Sequence, residues 1–151
     1  MKTLRRRSFL QSGATAAAAA AIPAAAQDGA PAATVVVVHG KDIPRMLEAG
    51  VAKLGGWGAF VKDGARVTLK ANVAWNSTPA QGGNTHPDLV RACVLAVIAK
   101  GASKVSIPEN TCHPETATFK ASGVEKAVQG TPARLYRPAK EDYRPLDIPK
   151  G

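Results

Sequence analysis

Arg66-Val-Thr-Leu-Lys-Ala-Asn-Val73 and Leu89-Val-Arg-Ala-Cys-Val-Leu-Ala-Val-Ile-Ala-Lys100, followed by Lys104-Val-Ser-Ile-Pro108, decide the fold. In the first stretch Val67, Leu69, Ala71 and Val73 alternate with Arg66, Thr68, Lys70 and Asn72, the period of a half-buried strand. The second is apolar on most sides and reads as a deeply covered helix, ended by Gly101. The third is a short strand. A strand, a helix and a strand in that order make a parallel βαβ unit, whose crossover is expected to be right-handed.

Similar signals extend both ways. Upstream, Val35-Val-Val-Val38 is a continuous β-branched run and reads as a fully buried strand ended by His39-Gly40. Ile43, Met46, Leu47, Gly50, Val51 and Leu54 then recur at helical spacing, with Asp42 as cap, Pro44 in the first turn and Gly55-Gly56 as the stop. Trp57 and Phe60 are expected to pack over the helix end. Thr85 is expected to cap the central helix, with Asp88 completing a capping box. Downstream, 114–122 and 123–128 read as short helices, and 133–136 as a fourth strand. A fifth strand is expected at 143–148, demoted to an edge or arm by Pro145. The fold class is therefore α/β: an open, mostly parallel sheet of four to five strands with helices on both faces. With no closing helix before Gly151, a partial domain is expected.

The amino terminus carries an address. Arg5-Arg-Arg-Ser-Phe-Leu-Gln11 precedes a weakly apolar stretch, Gly13 to Ala26, with ten alanines and one isoleucine. This is the form of a twin-arginine signal peptide, with Ala24-Ala-Ala26 as the cleavage site. The domain organisation is thus a signal at 1–26, a Pro/Ala-rich linker at 27–33 and an α/β domain at 34–151. The export machinery is an expected partner and the bacterial periplasm the expected location. Broken by Pro23, the apolar run is too short for a stable membrane span.

The whole chain has 20 basic and 11 acidic residues. Lys2, Arg5, Arg6 and Arg7 fall in the signal, leaving 16 basic against 11 acidic residues, a net charge of +5. Arg134, Arg137, Lys140, Arg144 and Lys150 are interspersed with Glu141, Asp142 and Asp147, the mixture of a solvated face. Composition and location together speak against nucleic-acid binding. Two cysteines, Cys93 and Cys112, do not make a disulfide scaffold, and whether they pair is open. There is no iron–sulfur or zinc cysteine motif, no Walker lysine motif and no GxGxxG.

Chemistry in open α/β sheets collects beyond the carboxyl ends of the strands. These ends deliver His39, then Lys70 and Asn72, then Glu109, Asn110, Cys112 and His113, with Thr85 and His86 at the helix start on the same edge. Lys70, Asn72, Thr85, His86 and Glu109 suit an anionic small molecule: an ammonium, a carboxamide and free backbone N–H groups. Glu109 is the candidate acid or base. A metal bound by His39, Glu109, Cys112 and His113 is the second reading. Cys112 as a nucleophile is a weaker one, because little visible in the sequence lowers its pKa. Cys93 is expected to belong to the core.

Three segments, Val67-Thr-Leu-Lys-Ala-Asn72, Asn84-Thr-His-Pro-Asp-Leu-Val-Arg-Ala92 and Lys100-Gly-Ala-Ser-Lys-Val-Ser-Ile-Pro-Glu-Asn110, resemble in order and spacing the amino-terminal half of the domain-of-unknown-function family 362. The resemblance takes in residues 34–151. It implies that Lys70 and Asn72 match the family's lysine-proline-asparagine strand end, Thr85 and Pro87 its threonine-x-proline helix start, and Glu109 its strand-end acid. Ala71 departs from the usual proline, and Pro108-Glu-Asn110 from a glycine-acid-serine pattern. The family's second half, with its further lysine-rich segments, has no counterpart before Gly151. The resemblance implies a fold and a cleft but no reaction. The expected function is that of an exported protein with a strand-end cleft. A truncated, inactive half-domain needing a partner and a redox-associated enzyme are the alternatives.

Overall fold

Packing around a three-stranded parallel sheet positions the groups at the sheet's carboxyl edge. The structure is a computed structural model and describes residues 33–149. Helix α1 (Ile43–Lys53) is followed by β1 (Arg66–Thr68), α2 (Pro87–Ala99), β2 (Lys104–Pro108), α3 (Glu115–Ala121), α4 (Val124–Val128) and β3 (Arg134–Tyr136). The strand order is β1-β2-β3, both pairs parallel, with Val67 beside Val105 and Ile107 beside Leu135. The α/β class and the parallel pairing are as expected, but the sheet has three strands. The proposed signal peptide at 1–26 lies outside the described residues, as does nearly all of the linker.

The middle strand carries the core. Val105 and Ile107 are almost wholly buried, and so are Val90, Val94 and Val97 on α2. Those three valines recur at i, i+4 and i+7, one stripe of the helix. The burial is narrower than the sequence suggested, since Leu95 is 47% exposed. Phe119, Val124 and Val128 close the core from α3 and α4. A steadily advancing strand order joined by right-handed crossovers puts the connecting helices on one face, and α2 indeed packs against α4. Alternate sheet residues Arg66, Thr68, Lys104 and Arg134 stay exposed. The described residues therefore cover one face of the sheet, not both.

Two expected strands are absent from the described sheet. Residues 34–39 belong to no strand: Val35 and Val37 are 85% and 73% exposed, while Val36 and Val38 are half-buried. β-Branched residues favour extended backbone, but a strand exists only where another strand satisfies its N–H and C=O groups. Residues 143–148 fail likewise. Tyr143, Leu146 and Ile148 are exposed, and Pro145 has no N–H to donate.

The helix ends follow their local chemistry. Asp42 accepts from the Arg45 N–H at 3.0 Å and caps α1. Of the two aromatic residues expected over the end of α1, Trp57 is half-buried against the core and donates from Nε1 to Glu48 at 2.8 Å, whereas Phe60 is 60% exposed. His86, not Thr85, is the N-cap of α2, its Nδ1 accepting from the Asp88 N–H at 3.2 Å. At the other end, Gly101 N–H bonds Ile98 and Ala102 N–H bonds Val97, the paired pattern of a left-handed helix stop. Gly101 has φ of +86°, and a Cβ there would fall 1.9 Å from Asp63 Oδ1 and 3.3 Å from Asp63 Cα. Gly101→Ala should therefore lower stability by about 1–3 kcal/mol, from the left-handed conformation plus displacement of the Asp63 turn; urea unfolding of the two proteins measures it.

Candidate functional site

Beyond Thr68 the chain runs on beside β2, with Leu69 N–H donating to Ser106 O at 2.9 Å, and delivers Lys70 and Asn72 past the sheet's carboxyl edge. β2 ends at Pro108 and delivers Glu109 to the same edge, where Glu109 N–H bonds Tyr136 O at 3.0 Å. The three groups meet. Lys70 Nζ lies 2.7 Å from Glu109 Oε2, 2.9 Å from Asn72 Oδ1 and 3.2 Å from Ala71 O. An ammonium has three protons, and each finds an oxygen here.

Glu109 is the buried member, 7% exposed. Its Oε2 accepts from Lys70 and also from the Val73 N–H at 3.0 Å. Burial by itself raises the carboxyl pKa. The Lys70 hydrogen bond, the Val73 N–H, the Lys70 charge and the Asn110 N–H together outweigh it, and the net pKa lies below the usual range. Glu109 is thus held as a carboxylate at neutral pH, which suits an acceptor or electrostatic anchor and not a proton donor. The Lys70 side chain is 63% exposed, so the pair is buried at its anionic end and open at its cationic end.

Thr85 folds the connecting loop back onto this edge. Its hydroxyl accepts from the Asn72 N–H at 3.0 Å, and its own N–H donates to Asn72 O at 2.8 Å. Sequence reasoning missed Asn84, which organises the loop: its Oδ1 accepts from Trp75 N–H, and its Nδ2 donates to Trp75 O and Ser77 Oγ. The sequence signals were its place after Gly82-Gly83, where a turn-forming side chain is favoured, and its position at the head of the second family-like segment. Cys112 N–H bonds Ala74 O at 2.9 Å and pins the loop after β2 to the extension of β1.

The remaining candidates do not join the cluster as ligands. His86 is engaged in capping α2 and faces Asp88 Oδ2 at 3.7 Å. His113 accepts from the Asn76 N–H at 3.4 Å and tilts against Trp75, ring centroids 5.8 Å apart. His39 lies at the exposed end of the valine segment. Among the described residues no three His, Cys, Asp or Glu side chains come together as a metal site, so His39, Glu109, Cys112 and His113 are not assembled into one. Cys93 and Cys112 are both free thiols, Cys112 exposed and Cys93 half-buried with its pKa raised by burial. No helix among the described residues is long and apolar enough to cross a membrane.

Residues 67–151, which hold this entire cluster, match the family described as a domain of unknown function (DUF362). The chain belongs to that family. The match starts at Val67, so residues 34–66, which the resemblance had taken in, lie outside it. No curated protein and no solved structure matches the chain.

A carboxyl held below its ordinary range adds stability above the unfolded chain's carboxyl pKa, about 4.3, and loses that contribution as pH falls through the folded value. Lys70→Met leaves Glu109 buried with only its backbone donors, which moves its pKa up. The midpoint of acid unfolding, followed by circular dichroism, should shift to higher pH. Stability at pH 7 should fall by about 1–2 kcal/mol, less than for a fully buried pair because Lys70 is largely solvated.

Proposed function

We propose that this is an exported DUF362 protein whose strand-end cluster of Lys70, Asn72 and Glu109 receives the anionic group of a small molecule, a phosphate or a carboxylate. The observation that carries the reading is the one-sided polarity of the Lys70–Asn72–Glu109 cluster. Glu109 holds the ammonium from the buried side, and the exposed side of Lys70 meets solvent. Asn72 Oδ1 is taken by Lys70, which leaves the Nδ2 donors of this exposed residue as the part that faces a ligand. A charged donor and a directed amide donor side by side match an anionic oxygen. The weakest bond of the ammonium, 3.2 Å to Ala71 O, is the one such an oxygen replaces.

Glu109 here is an anchor: it fixes where the ammonium sits and keeps it charged. Isothermal titration with inorganic phosphate, and separately with succinate, tests the site. Lys70→Ala and Asn72→Ala should each weaken binding at least tenfold, and raising the salt concentration should weaken it in the wild type. Equal affinity in both variants and the wild type removes the cluster as a binding site.

Export is supported by Arg5-Arg-Arg-Ser-Phe-Leu10 and the alanine-rich stretch after it. Residues 1–33 joined to a reporter that folds in the cytoplasm should carry it to the periplasm. Replacing Arg5, Arg6 and Arg7 together by lysine should leave it in the cytoplasm, as read by cell fractionation. Periplasmic recovery of the triple-lysine fusion at the unmutated level removes the twin-arginine assignment.

A further inference from the structure

All-parallel sheets are nearly always covered on both faces, yet in this chain the helices α2 and α4 pack together on one. The side chains that alternate away from them are Arg66 and Thr68 on β1, Lys104, Ser106 and Pro108 on β2, and Arg134 and Tyr136 on β3. The register sets Arg66 directly beside Lys104 and Ser106 directly beside Arg134. Like charges opposed across neighbouring strands cost stability. Among the described residues no carboxylate pairs with Arg66, Lys104 or Arg134. Among the described residues this face, on which Ser106, Pro108 and Tyr136 are half-buried, thus holds a compact group of three exposed cations with no paired carboxylate.

We propose that this face docks an acidic α-helix of a partner protein. A helix is the layer that parallel sheets carry on each face. Its width, about 10 Å, matches a sheet three strands wide at about 4.8 Å spacing. Carboxylates at i and i+4 on a helix stand about 5–6 Å apart, which fits cations on adjacent strands. A second copy through the same face sets cation against cation. Nucleic acid fits less well: Tyr136 is the one aromatic on this face, and the Arg134 guanidinium sits 4.6 Å over its ring, leaving no open platform for a base.

The full-length protein is titrated with two fluorescent helical peptides of identical composition. One bears glutamates at i, i+3 and i+4 along one face, and the other has them spread around the helix; a single-stranded oligonucleotide is the third probe. The striped peptide should bind at least tenfold more tightly than the other two. Carbodiimide coupling followed by mass spectrometry should link it to Lys104. Lys104→Glu should weaken it at least tenfold while leaving the melting temperature unchanged or raised, since the new carboxylate lies beside Arg66. Lys104→Gln, which keeps the shape and removes one charge, should fall between. The proposal is overturned by equal binding of the two peptides, by tighter binding of the oligonucleotide, by insensitivity to both substitutions, or by coupling at lysines off this face.

Discussion

β2 is paired on both sides and buried on its inner face, and both the fold and the strand-end cluster hang from it. Val105 and Ile107 press against the valine stripe of α2, and removing either from water accounts for about 1.5–3 kcal/mol. Because the strand is parallel to both neighbours, each pairing requires a helical crossover, and those crossovers supply most of the rest of the core, with Val61 added from the segment before β1. Glu109 stands two residues beyond Ile107. Its position is therefore set by packing well inside the sheet, not by the loop that follows it.

That placement gives the cluster its character. A carboxylate drawn out of water is costly unless it is paired and hydrogen-bonded, and Glu109 is both, through Lys70 and through the Val73 N–H. The pair also ties the extension of β1 to the end of β2 where the ladder between them has run out. Structure and chemistry are not separable here: the bond that closes the edge of the sheet is the one that orients the ammonium. Asn72 is held from the opposite side by Thr85, so the loop and the start of α2 are fastened to the same point.

Several readings of the sequence depended on neighbours that a linear pattern does not show. The valines at 35–38 have the composition of a strand, and Val36 and Val38 do turn inward, but no ladder partner stands beside them in the described sheet. Thr85 has the side chain and the position of a cap, yet its hydroxyl serves Asn72, and the imidazole of His86 takes over the capping. His39, Cys112 and His113 are ligand types in suggestive places. Histidines at separate strand ends converge on one metal only if the loops bring them there, and these loops do not. Asn84 is the converse case, a residue outside the candidate site set whose amide makes four of the loop's hydrogen bonds.

By itself the sequence determined the α/β class, the order of helices and strands from α1 to β3, most helix boundaries and the family. It also placed Lys70, Asn72 and Glu109 at strand ends, because side-chain periodicity and capping chemistry are local and survive without a partner. Only the tertiary structure decided how many strands are in the sheet, which face they leave bare, and that Glu109 is buried and ionised while Lys70 faces solvent. Those properties are made by contacts between residues tens of positions apart. Pairing, burial and the field at a carboxylate depend on what stands next to a group in space, which a linear sequence does not display.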